Sequence, residues 1–223
     1  TLNCDENDSL LFIQDTVQPY RNVHSDYILN LLKKTAAIPD HGTYAYSNFN
    51  YAISGLILEK VTDKKNDDLL SEEIFKPLHF TETFTDSIFS ENRAAGYLEE
   101  NKASYMELDA LKPAGIIKSS AVDLIKFLQA ELLPSNNDLG KAMQLTQETL
   151  LQTPDFATGF GWHIFTDDEN NKAWLMQGDT IGNSSMLYFD RKNNVGIVLL
   201  ANESNHNLVA TIMDFLVNSI SQN

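Results

Sequence analysis

Much of what enzymes and binding proteins rely on is scarce in this 223-residue chain. Cys4 is its one cysteine, which excludes an intrachain disulfide and leaves the redox compartment open. The five histidines, at 24, 41, 79, 163 and 206, are isolated and show no metal-ligand spacing, so no metal site is expected. Sixteen Lys and Arg stand against 31 Asp and Glu, a formal charge of −15, which argues against nucleic acid and anionic membrane surfaces as partners. The acidic residues are spread along the chain, as solubility requires. No apolar run approaches a membrane span. There is no Walker loop and no Gly-x-Gly-x-x-Gly, and no cofactor is expected. A Gly-x-Ser-x-Gly elbow is also missing; Gly182-Asn183-Ser184-Ser185-Met186 lacks the closing glycine and enters a strand pattern. Internal repeats, low-complexity tracts, an initiator Met and a signal-peptide pattern are absent, and the start at Thr1 reads as a processed or trimmed product.

What is present is the composition of an ordinary globular protein, 43% hydrophobic and 21% charged, within the size of a single domain over 1–223. Its centre is Tyr44-Ala45-Tyr46-Ser47-Asn48-Phe49-Asn50-Tyr51, leading into an apolar helix with Ile53, Leu56, Ile57 and Val61 on the face expected to be buried. Polar groups beside a core-anchored helix suit chemistry, although aromatics that simply pack at a helix start fit the local pattern too. Before it, Leu10–Ile13 is a strand or packed loop, Ser25 or Asp26 caps a helix with Ile28, Leu29, Leu31 and Leu32, and Pro39–Gly42 is a turn. After it come a helix from Asp67 limited by Pro77, an irregular stretch over 80–112, and a helix begun by Ser120 and Asp123 in a capping-box-like pair, with Val122, Ile125, Leu128 and Leu132 inward. A helical segment around 139–151 follows. Strands are expected at Phe160–Phe165, Lys172–Met176, Ser184–Phe189 and Val195–Ala201, then a last helix with Leu208, Ile212, Phe215 and Leu216 on one face. Tight turns between short strands predict an α+β fold, an antiparallel sheet packed with helices.

Several blocks in order resemble the serine β-lactamase and penicillin-binding-protein family, especially class C β-lactamases, D,D-peptidases and related esterases. Asp15-Thr16-Val17 and Tyr27–Leu32 resemble its early loop and short helix, Tyr46-Ser47-Asn48 its Tyr-x-Asn motif, and Ile74–Leu78 the segment after that. Pro113-Ala114-Gly115 with Ser119–Leu124 resembles the Pro-Ala-Gly-Gly stretch and its helix, while Gly159–Trp162, Gly178–Asp190 and Asn194–Asn202 resemble the later strands. The resemblance implies that Tyr46 shuttles the proton of a serine nucleophile, that Asn48 orients the substrate amide, and that Gln177, Gly178 and Asp179 form a substrate-binding strand. A periplasmic or secreted location and a small ester, amide or peptide substrate are implied in the same way.

The nucleophile motif of that family, Ser-x-x-Lys, is not in this chain. None of the thirteen lysines has a serine three positions earlier, and Thr62-Asp63-Lys64-Lys65 follows Tyr-x-Asn instead of preceding it. Where the family has Lys or His, a variable residue and Gly, this chain has Met176, Gln177 and Gly178. The expectation is therefore a β-lactamase/transpeptidase-like fold lacking its N-terminal strands and catalytically inert as this chain. The alternatives are an active esterase, peptidase or β-lactamase whose Ser-x-x-Lys sits on a removed or separate segment, and a non-enzymatic binding module. With flanking strands absent, Val195–Ala201 is expected to have an open edge covered by N-terminal residues, a partner or a dimer mate.

Overall fold

The computed structural model describes residues 15, 18–34, 44–85 and 93–221. The expected Leu10–Ile13 element, the Pro39–Gly42 turn and most of the Asp15-Thr16-Val17 block lie outside them. Helix α1 (Ser25–Lys34) and helix α2 (Asn48–Thr62) come first. A short helix, α3 (Asn66–Leu70), continues into a π-helical turn at Ser71–Phe75. A two-stranded ribbon, β1 (Tyr97–Leu98) with β2 (Asn101–Lys102), and a 3₁₀ turn at Asp109–Ala114 occupy the irregular stretch. Helices α4 (Ala121–Leu132) and α5 (Asp138–Thr146) lead into the sheet.

That sheet is antiparallel, six-stranded and ordered as the chain runs: β3 (Leu151–Gln152), β4 (Ala157–Thr158), β5 (His163–Thr166), β6 (Lys172–Thr180), β7 (Asn183–Asp190) and β8 (Val195–Ala201). Helix α6 (His206–Ser221) closes the chain. Strand alternation sorts the side chains between two layers. Ile164, Trp174, Phe189 and Val198 face α4 and its Leu128, whereas Leu175, Met186, Tyr188, Ile197 and Leu199 face α6 with its Val209 and Met213. A third core surrounds α2, where Tyr20, Ile28, Phe49, Ala52, Leu111 and Ile116 meet. The α+β expectation is met, with helices on both faces of an antiparallel sheet.

Several expected details are corrected. The first predicted strand begins at His163, three residues late, because Gly161 takes a positive φ of 89° and bends the chain. β6 runs on to Thr180, since a two-residue turn with Gly182 at φ 89° pairs Thr180 with Asn183 and lengthens the hairpin. Two helices bury the expected face in part, with Ile53 and Leu56 of α2 and Leu128 and Leu132 of α4 packed on their cores, and a third buries a different face. In α2 the buried residues are Phe49, Ala52 and Gly55, and Val61 is 78% exposed. In α4, Val122 and Ile125 are exposed while Asp123, Leu128 and Glu131 are buried. In α6, Val209 and Met213 are inside, and Phe215 is 69% exposed. These helices are apolar on more than one side, so periodicity alone does not select the packed face.

Ser120 does cap α4, its Oγ accepting the Asp123 N–H at 3.3 Å. Asp123 does not close a capping box. Its carboxylate accepts the N–H groups of Thr81 and Glu82 and the Thr83 hydroxyl, and pairs with Lys126 at 2.8 Å. Burial pushes its pKa up, but Lys126, the Glu82 N–H and the Thr83 hydroxyl outweigh burial and hold it below the usual range.

Glu131 is the opposite case. It is 2% exposed, its carboxylate accepts from Gln147 Nε2, and its backbone carbonyl accepts from Arg191 Nη2 at 3.0 Å. Burial outweighs both Gln147 and Arg191 and pushes its pKa up to about 7. A raised carboxyl pKa means the folded state holds its proton more tightly than the unfolded one. This contribution is therefore complete below about 4.5 and is lost as pH rises through about 7. Urea unfolding across that window should show a stability decline of up to about 3 kcal/mol. Glu131→Gln should flatten it; an unchanged slope in the variant would remove Glu131 as the cause.

Candidate active site

The site is organised by the first turn of α2. Ser47 has extended backbone angles, and its Oγ accepts the Asn50 N–H at 3.0 Å, satisfying one of the donors that a helix start leaves unpaired. That cap sets Tyr46 just outside the helix and Asn48 on its first turn. Phe49 and Ala52, fully buried one turn apart, hold the helix end in place. On the same side, a Cβ added at Gly55 would lie 2.2 Å from Pro113 Cγ. Only glycine lets α2 approach the Pro113-Ala114-Gly115 turn this closely.

Tyr46 is 59% exposed, and its hydroxyl donates to Asn48 Oδ1 at 3.0 Å. Asn48 Nδ2 in turn donates to Tyr20 Oη at 3.2 Å, which fixes the orientation of the amide. The two residues assigned to catalysis by resemblance are thus in direct contact and face solvent. Two residues before Tyr46, the Tyr44 hydroxyl lies 3.3 Å from His163 Nε2. Burial lowers the His163 pKa and raises that of Tyr44, so both are neutral near pH 7 and the imidazole tautomer sets which of them donates. Phe156 packs edge-on to Tyr44 and stacks on His163, completing the anchor.

This anchor ties the Tyr46 loop to the strand assigned to substrate binding. His163 pairs with Leu175, immediately before Met176 on β6. β5 covers β6 only from Lys172 to Leu175, so among the described residues Met176–Thr180 have β7 on one side and no strand on the other. Gln177, Gly178 and Asp179 lie on this half-paired stretch, opposite Met186, Ser185 and Ser184. A half-paired strand offers backbone N–H and C=O groups to an extended ligand. The Asp179 carboxylate lies 2.9 Å from His206 Nδ1 at the start of α6, on the α6 side of the sheet, while Gly178 has the opposite side. Met176, in the place of the family's Lys or His, brings no charge.

A cleft of about 550 Å³ opens elsewhere, along α2 between Asp26, Glu59, Lys65, Asp109 and Lys112, and is not lined by Tyr46 or Asn48. Among the described residues no group of three or more His, Cys, Asp or Glu side chains is placed to hold a metal. Sequence reasoning missed the roles of Ser47, Tyr20, Tyr44, His163 and His206. Ser47 was legible as a helix cap; the others are brought in from 28, 119 and 27 positions away and left no local signal.

With fold and site described, the comparisons with known proteins agree on one family. The β-lactamase family profile matches residues 8–220, and the chain belongs to that family. A β-lactamase of Yersinia enterocolitica is 27% identical over 202 residues, covering 74% of this chain and 52% of its own length. The protein flp of Staphylococcus aureus (strain NCTC 8325 / PS 47) is 28% identical over 169 residues, covering 71% of this chain and 33% of its own. Among solved structures, a class C β-lactamase from Rhodobacter sphaeroides superposes with a TM-score of 0.78 at 21% identity, covering 92% of this chain and 67% of that one. A β-lactamase/D-alanine carboxypeptidase from Pseudomonas syringae has a TM-score of 0.78 at 17% identity, covering 94% and 66%. The fold is that of the β-lactamases and transpeptidases. The chain spans about half the length of one of these curated relatives and a third of the other.

The cap on α2 is testable. Ser47→Ala leaves the Asn50 N–H without its acceptor and should cost about 1 kcal/mol, about 2–4 °C in melting temperature for a chain of this size. Ser47→Asp should recover most of it. A melt unaffected by Ser47→Ala would show that the cap does not hold this helix end.

Proposed function

We propose that this chain carries the Tyr-x-Asn half of a serine acyl-transfer site and is catalytically inert without a nucleophile supplied from elsewhere. The observation that carries this reading is the Tyr46–Asn48 contact at the capped, solvent-facing start of α2, in a chain with no Ser-x-x-Lys. In acyl transfer a serine Oγ bonds to the substrate carbonyl carbon while its proton moves to a base, which later protonates the leaving group. In this reading Tyr46 takes and returns that proton, and Asn48 hydrogen-bonds the substrate amide. The half-paired stretch Met176–Thr180 suits an extended ester, amide or peptide, with Gln177, Gly178 and Asp179 alongside it. A cationic third-motif residue is replaced by Met176, so a substrate carboxylate loses that attraction.

A second reading, a working esterase, peptidase or β-lactamase once Ser-x-x-Lys is supplied, is favoured by the same contact. Tyr46 and Asn48 are held in a defined geometry that packing alone does not require. The first reading is tested on the chain as it stands, incubated with a fluorophosphonate or a fluorescent penicillin and examined by intact mass. No covalent adduct is expected. A stoichiometric adduct would overturn the inert reading and identify a nucleophile that the Ser-x-x-Lys pattern does not describe.

A further inference from the structure

The half-paired stretch Met176–Thr180 carries one ionisable side chain, Asp179. Strand alternation decides which way that charge faces. Leu175 packs on the α6 side of the sheet, so Gln177 and Asp179 project on the same side, where both are exposed. His163 stands opposite Leu175 and shares this face, and the Tyr44 hydroxyl rests on it at 3.3 Å. The loop that carries Tyr46 is therefore anchored on the face to which Asp179 contributes its carboxylate. From Leu175 to Asp179 is four residues of strand, about 13 Å, the span of a short extended peptide.

His206 orients this charge without removing it. An ionised carboxylate only accepts hydrogen bonds, so the 2.9 Å contact puts the hydrogen of a neutral imidazole on Nδ1. Asp179 Oδ2 is thereby fixed and its negative charge stays in place. Among the described residues no other side chain bonds the carboxylate, which leaves Oδ1 and His206 Nε2 as acceptors. The two side chains are 42% and 43% exposed, open to a ligand arriving from solvent. Two acceptors that share one negative charge suit an ammonium, which has three donors and no acceptor. They oppose a carboxylate, which brings a second negative charge and no donor. Met176 puts no cation on the strand to offset them.

We propose that Asp179, oriented by His206, selects substrates by charge, favouring esters or amides that bear a free amine over counterparts that bear a carboxylate. Asp179 touches the substrate amine, and His206 is a positioning residue that acts through it. The acyl-transfer reading supplies the reacting end of the substrate, whereas the charge preference is a binding property of this chain alone.

The test titrates the whole chain with tri-alanine amide bearing a free amine, with its acetylated neutral form, and with acetyl-tri-alanine bearing a free carboxylate. Backbone amide shifts of residues 176–180 report binding. The formal charge of −15 favours any cation, so the titrations are run at about 0.15 M salt, where remote charges are screened beyond about 8 Å. The amine form should bind about tenfold more tightly than the carboxylate form, with the neutral form between them. Asp179→Asn, nearly isosteric and at an exposed position, should bring all three affinities to within about twofold while the rest of the spectrum is retained. His206→Ala should shrink the advantage of the amine, and His206→Asn, which returns a donor near the place of Nδ1, should recover it. The proposal is overturned by equal affinities in the native chain, by a preference for the carboxylate, by a preference that survives Asp179→Asn, or by failure of all three peptides to shift residues 176–180. An advantage indifferent to His206→Ala overturns the positioning role. Selective amine binding without fluorophosphonate labelling, once a Ser-x-x-Lys segment is supplied, would sustain the charge selection and count against the acyl-transfer reading. Labelling with equal affinities would do the reverse.

Discussion

One local hydrogen bond, from the Asn50 N–H to Ser47 Oγ, sets the geometry on which the candidate chemistry depends. It ends the extended loop and begins α2 at one residue, which puts a phenol and a carboxamide side by side. The helix behind them is fixed by Phe49 and Ala52 and by the glycine-mediated approach of α2 to Pro113. The loop before them is fixed by Tyr44 on His163. A site that must hold two groups in register is thus supported from both sides by packed, largely apolar structure.

The sheet has a layer on each side of β6 and β7, and β8 is its last strand among the described residues. α2, α4 and α6 each turn apolar side chains to solvent: Ile57 and Val61, Val122 and Ile125, Leu208 and Phe215. Burial of such residues is worth on the order of 1.5–3 kcal/mol each, so surfaces of this kind gain substantially by being covered.

These relations explain which parts were legible in the sequence. Ser120 as a cap and the bounds of Val195–Ala201 are local, set by capping chemistry and alternation, and could be read directly. The ordered blocks identified the family, and Tyr46 with Asn48 followed from one of them. The buried faces of α2 and α4 were read in part and that of α6 was misread, because each helix is apolar on more than one side and only tertiary packing chooses between them. Asp123 looked like half of a capping box but serves the distant residues 81–83. The Asp179 contact with His206, 27 positions on, was equally invisible. Contacts made across tens of residues leave no periodic trace.

The central claim is that Tyr46 performs the proton transfer for a serine this chain does not contain. The most direct measurement is the acylation rate of the chain supplied with a Ser-x-x-Lys segment from a β-lactamase relative, comparing the native chain with Tyr46→Phe at equal occupancy. Loss of a general base typically costs about 10²–10⁴-fold. The account predicts a fall in that range, with complex formation and melting temperature unchanged. Equal acylation rates for the two chains would contradict it and return Tyr46 to the role of a surface aromatic.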